Sequence, residues 1–168
     1  MKNCYVKTLL CAYPHFNKII KRMDTFVGKK VLSSMSNFTS CVTQCEEIIS
    51  LTMQKCIMIE AKYYLEKVIK RLTKEEKDLL DYKYFKLKPQ QDFAGVDLSS
   101  RNYYRKQQRL IEDIGKYFDW MGKGNEWFDK SLLKVPFMEK LLFSVQINDD
   151  ISLKNPRSKG VRKKLKVA

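Results

Sequence analysis

The chain is predicted to fold as an all-α protein: a long N-terminal helical hairpin, a second helical module, and a short helical C-terminal segment. Three observations support this. Gly (6) and Pro (4) are scarce in 168 residues. Leu, Ile, Lys and Glu recur at helical spacing along most of the chain. The turn clusters that mark an all-β chain at intervals of about 8–12 residues are missing. Apolar residues make up 44% and aromatics 12%, enough to build a core and to exclude a chain disordered throughout. The expected boundaries are 1–72 for the hairpin, 73–122 for the second module, 123–147 for the C-terminal helices and 148–168 for a disordered basic tail.

The first helix is expected from about Pro14 to Met35. Phe16, Ile19, Ile20, Met23, Phe26, Val27 and Val31 form one apolar stripe at steps of three and four, and Pro14 suits a helix start. A polar loop, residues 33–40, offers Ser and Thr to cap the next helix. That helix is expected from about Cys41 to Leu72. Cys45, Ile49, Thr52, Cys56, Ile59 and Tyr63 alternate in steps of four and three, the spacing of a coiled-coil seam, and the stripe then moves to Leu65, Val68, Ile69 and Leu72. A short loop between two long amphipathic helices predicts an antiparallel pair. Pairing of the same stripes between two copies, a homodimer, is left open by the spacing.

Thr73-Lys74-Glu75-Glu76 is a capping box. It opens a short apolar helix carrying Leu79, Leu80, Tyr82, Tyr84 and Phe85, which Lys88 and Pro89 stop. Residues 89–98 read as a short helix and a turn around Gly95. Ser99 or Ser100 caps a longer helix, expected over about 99–118. One face of it carries Tyr103, Leu110, Ile114 and Phe118. Arg101, Asn102, Arg105, Lys106, Gln107 and Arg109 gather in its first three turns. From Ser99 to Ile111 there are four bases and no acid. Cations at a helix N-terminus oppose the macrodipole, and an incoming phosphate backbone would relieve the conflict.

Charge distribution points the same way. The net charge is +14. Residues 1–40 hold seven bases and one acid, residues 41–98 ten of each, residues 99–153 nine bases and eight acids, and residues 154–168 seven bases and no acid. Both ends therefore attract polyanions, with a strong dependence on salt.

The segment 72–114 resembles region four of bacterial sigma factors and the sigma-like phage regulators of the ArpU and RinA type. Leu72, Thr73, Glu75, Glu76, Lys83, Tyr84 and Phe85 match the opening helix of that pattern, and Ser99, Tyr103, Tyr104, Arg105, Lys106 and Leu110 match its recognition helix. The resemblance covers about 45 residues and implies a helix-turn-helix DNA-binding module in a transcriptional regulator. Asp92-Phe93-Ala94 departs from the family's Ile-Ala pair, and the following turn is about one residue shorter. No promoter-melting segment like the sigma factors' region two is recognisable.

Double-stranded DNA is thus the expected partner. Arg101, Asn102 and Arg105 are the candidates for base edges, since Arg matches guanine and Asn adenine in bidentate fashion. Lys106 and Arg109 are the candidates for phosphates, with Ser99, Ser100 and Tyr104 completing the expected interface. Tyr103 is expected to pack the helix onto Leu79, Leu80 and Tyr84. The alternative is a helical adaptor that binds RNA polymerase or another protein without touching DNA. It would be favoured if residues 125–147 covered the arginine face.

Enzymatic chemistry is not expected. His15 is the only histidine, so no Ser–His–acid triad or histidine cluster is suggested. Gly122 and Gly124 lack the strand-and-helix context of a phosphate loop. The five cysteines lack paired Cys-x-x-Cys spacing, so neither metal nor cofactor is expected. With Lys7 inside its only early apolar stretch and no run of membrane-spanning length, the chain is expected to be cytoplasmic with reduced thiols and no membrane partner.

Overall fold

A computed structural model of the chain describes residues 1–34, 41–85 and 100–154, with the side chains of 33, 34, 100, 101 and 151–154 outside that description. Among the described residues every regular element is helical. In chain order these are α1 (Asn3–Ala12), α2 (Phe16–Ser34), α3 (Cys41–Arg71), α4 (Lys74–Leu80), α5 (Ser100–Trp120), α6 (Asn125–Lys130) and α7 (Pro136–Lys154). Short 3₁₀ turns at Tyr13–His15 and Leu132–Lys134 join α1 to α2 and α6 to α7, and a π turn, Asp81–Phe85, leaves α4. No helix among the described residues is long and apolar enough to cross a membrane.

The core is built around α1, a helix not predicted above. Val6, Leu9, Leu10 and Ala12 are wholly inaccessible, and α1 packs against α5, α7 and the π turn. The Tyr5 ring stacks on Phe128 of α6, centroids 4.1 Å apart and planes 3° from parallel. Its hydroxyl donates to Asp129 at 2.6 Å. On α7, Asp149 accepts from Lys7 at 2.7 Å. The signal for this helix is present in the sequence: Tyr5, Val6, Leu9, Leu10 and Tyr13 follow helical spacing. Pro14 sits in the turn that ends α1, because it has no N–H to continue the ladder.

α2 and α3 run antiparallel, as three cross-links establish. Lys30 pairs with Glu47, Lys55 with Asp24, and Lys62 donates to Asn17 at 2.9 Å. Burial falls off along this pair. Phe16 is buried and Ile19, Ile20 and Met23 are half-buried, whereas Phe26, Val31 and Leu32 are exposed. In α3 no residue before Met58 is buried. The expected stripe of α2 is therefore covered only in its first half.

α3 turns a different stripe inward from the one its spacing singled out. Met58, Ala61, Leu65 and Val68 are buried, followed by Leu72 just past the helix. Cys45, Ile49, Thr52, Cys56, Ile59 and Tyr63 are all exposed. Both sets repeat at steps of three and four, so periodicity alone does not rank them.

α4 begins with the expected capping box: Glu76 N–H donates to the Thr73 hydroxyl, and Thr73 N–H donates to the Glu76 carboxylate at 2.8 Å. α5 ends in a Schellman motif. Gly122 takes a φ of 70°, Lys123 N–H donates to the Phe118 carbonyl and Gly122 N–H to that of Asp119. Lys123 then reaches Glu60 of α3 at 2.7 Å and lies over the rings of Tyr64 and Trp127. α7 continues through Asn148 to Lys154, beyond the point where a disordered tail was expected to begin. Its Met138, Leu142 and Val145 are buried, and the resulting contacts with α1 extend the helix. Residues 155–168 of the expected tail lie outside the described residues.

Candidate nucleic-acid interface

The candidate interface is the N-terminal half of α5. Its fixed side is Tyr103, Leu110, Ile111, Ile114 and Phe118, all buried. These positions fall on one side of the helix at 100° per residue. Gly115 lies on the same side, close to α1. A Cβ there would stand 3.1 Å from the Met1 carbonyl oxygen and 3.6 Å from Val6, so any larger residue would require the chain at Met1 to shift by a few tenths of an ångström. At the far end Arg71 lies over the Trp120 and Tyr117 rings, at 4.7 and 5.9 Å, and links α5 to the end of α3.

The opposite side carries the cations. Arg105 and Arg109 are exposed one turn apart, and no ion pair engages either of them among the described residues. Asn102 and Lys106 are exposed as well. Among the described residues Lys106 reaches Glu75, at 3.7 Å, and both side chains are largely in solvent, so this contact is weak. The guanidinium groups are therefore in water, where a long flexible side chain keeps its charge and its freedom.

Tyr103 is buried as expected, and its described ring partners are Tyr82 and Tyr104 where Leu79, Leu80 and Tyr84 were expected. Its ring meets Tyr82 of the π turn edge-on at 6.1 Å. Tyr104 is 42% exposed and touches the Tyr103 ring edge-on at 5.4 Å. Beside it runs an open groove lined by Tyr104, Arg105, Tyr84, Lys83, Lys7 and Asp149. The groove brings α5, the π turn, α1 and α7 together. Of these residues only Tyr104 and Arg105 were assigned to the interface from sequence, because Lys7 and Asp149 are far away in the chain. Gln107 is half-buried, and its amide donates to Tyr84.

Burial pushes the Tyr84 phenol up to about 12, while the hydrogen bond from Gln107 acts in the opposite direction. Tyr103 is raised to about 12, first by burial and then by the neighbouring Tyr82 and Tyr104 phenols. Both phenols stay neutral at any physiological pH.

Ser99 lies outside the described residues, as do the side chains of Ser100 and Arg101. The same holds for the short helix and turn expected at 89–98. Along the backbone, position 101 stands one helical turn before Arg105. The C-terminal segment packs onto α1, and Arg105 and Arg109 remain exposed.

All five cysteines are free thiols: Cys4 and Cys11 are half-buried on α1, and Cys41, Cys45 and Cys56 are exposed on α3. Among the described residues no three His, Cys, Asp or Glu side chains gather as metal ligands would. No family model, no curated protein and no solved structure matches the chain.

Proposed function

We propose that this protein is a sigma-like, sequence-specific DNA-binding transcriptional regulator and not an enzyme. In this reading residues 73–122 form a helix-turn-helix module carried by an N-terminal helical hairpin. The N-terminal turns of α5 enter the major groove. Arg101, Asn102 and Arg105 read base edges; Lys106 and Arg109 hold phosphates; Ser99, Ser100 and Tyr104 border the contact. The basic tail adds affinity without sequence preference. RNA polymerase is the proposed protein partner, by resemblance, and the cytoplasm the proposed compartment.

The observation that carries the reading is the outward face of α5. Arg105 and Arg109 stand one turn apart in solvent without an ion pair among the described residues, while the buried side of the same helix anchors it to the core. A helix used only for packing gains nothing from acid-free opening turns, which the macrodipole disfavours. A duplex would supply the missing negative charge. The adaptor reading loses support because α7 packs on α1 and both arginines remain exposed.

The test is duplex retention at physiological salt by the triple variant Arg101→Ala, Arg105→Ala, Arg109→Ala. Loss of retention with the helical circular-dichroism signal intact supports direct DNA contact. Unaltered retention removes it and leaves the adaptor.

A further inference from the structure

The exposed stripe of α3 has the register of a coiled-coil core. Cys45, Ile49, Thr52, Cys56, Ile59 and Tyr63 alternate at steps of four and three, and Val42 extends the series one step toward the N-terminus. With Val42, Ile49, Cys56 and Tyr63 at a positions, Cys45, Thr52 and Ile59 fall at d. Every one of them is exposed. The large apolar members are the most telling: Val42 is 66%, Ile49 57%, Ile59 44% and Tyr63 52% exposed. Isolated exposed apolar residues need no explanation, but a continuous row over about three heptads, some 30 Å of helix, does. Thr52 is compatible with such a row, because its hydroxyl already donates to the Ile48 carbonyl at 2.8 Å.

The row lies opposite the buried stripe of Met58, Ala61, Leu65 and Val68. Lys55 and Lys62, which hold α2, mark a third side. None of the described elements therefore covers it.

We propose that two copies of the chain pair through α3 as a parallel, in-register coiled coil from Val42 to Tyr63, with Cys45 and Cys56 each facing its own counterpart. The flanking residues select the partner and its direction. Lys55 and Ile48 occupy g positions; Glu46, Met53 and Glu60 occupy e positions. In the parallel pair Lys55 faces the partner's Glu60, and Ile48 faces the partner's Met53, each contact made twice. In an antiparallel pair Lys55 would face the partner's Lys55, and Glu46 the partner's Glu60, so like charges would meet. Lys55 and Glu60 already have intrachain partners in Asp24 and Lys123, and the new contacts would add to those. The zipper ends after Tyr63 because the next d and a positions are Glu66 and Lys70, while Lys62 would face the partner's Lys67. Axes about 8–10 Å apart bring facing cysteines within disulfide reach.

Dimerisation of this kind stands apart from the DNA reading and is tested without DNA. Sedimentation equilibrium of the full chain under reducing conditions is expected to give twice the mass of one chain. Ile49→Asp combined with Ile59→Asp should weaken the dimer by about two orders of magnitude or more. The helical circular-dichroism signal should not change, since neither side chain packs against the core of its own chain. Independently of any variant, mild oxidation of the unmodified chain with copper phenanthroline should give Cys45–Cys45 and Cys56–Cys56 links in peptide maps. A single-chain mass at micromolar concentration would overturn the proposal. So would a dimer that survives the double substitution, or links between Cys45 and Cys56 as abundant as the homotypic ones.

Discussion

The side-chain amide of Gln107 donates to the hydroxyl of Tyr84 at 3.2 Å and so joins α5 to the π turn that leaves α4. That bond lies on the edge of the groove beside the arginine face, and it lowers the pKa of a phenol that burial holds up to about 12. Because the folded state raises the pKa of Tyr84 and of Tyr103, the unfolded chain loses these protons first as pH rises. Stability is unaffected by these groups below the ordinary phenol value of about 10 and falls as pH rises from there toward about 12. Urea midpoints measured at about pH 9 and pH 11 should show this decline. Tyr84→Phe should make the decline shallower. An equal slope in the variant would mean that Tyr84 is not held neutral by the fold.

The centrality of α1 gives a stability prediction. Leu9 is wholly inaccessible, whereas Leu32 near the end of α2 is 71% exposed. Leu9→Ala should cost about 2–5 kcal/mol by losing buried area and leaving a cavity. Leu32→Ala should stay within about 0.5 kcal/mol. Chemical denaturation of the two variants checks the contrast, and similar losses would place α1 outside the core.

The capping box at the start of α4 offers a local test. Thr73→Ala removes the acceptor for the Glu76 N–H and the hydroxyl that donates to the Glu76 carboxylate at 2.9 Å. The expected loss is about 0.5–2 kcal/mol in the same denaturation measurement. A loss confined to this helix should appear as faster amide exchange in residues 74–80.

The two classes of cation on α5 should separate in DNA binding. Lys106→Ala, at a proposed phosphate contact, should weaken binding to all duplexes alike and reduce the salt slope by about one. Arg105→Ala should cost about 1–3 kcal/mol on the preferred site and relax discrimination at one base pair. Titrations of a selected site and a scrambled site over a range of salt distinguish these outcomes. Equal behaviour of the two variants would contradict the division of roles.

Much of the local structure was legible in the residues. α3 begins at the expected Cys41, Thr73 and Glu76 close the box their spacing predicts, and α7 begins at the Pro136 that marked it. The buried and exposed sides of α5 follow directly from its apolar and cationic positions. α1 was not predicted because its ten residues fall short of a helix stable by itself. The groove was not legible either, since Lys7 and Asp149 acquire their proximity to Tyr104 only through packing.

From sequence alone came the all-helical class of the described elements, the capping box at Thr73 and Glu76, and the two-sided character of α5. These depend on neighbours three or four positions apart, and the chain carries that information locally. Only the tertiary structure decided that α1 lies at the centre, that α7 runs to Lys154, and that α3 buries Met58 and Leu65 while leaving Ile49 and Ile59 in solvent. A helix with apolar residues on two sides buries whichever side meets a matching surface, and those surfaces come from segments distant in the chain.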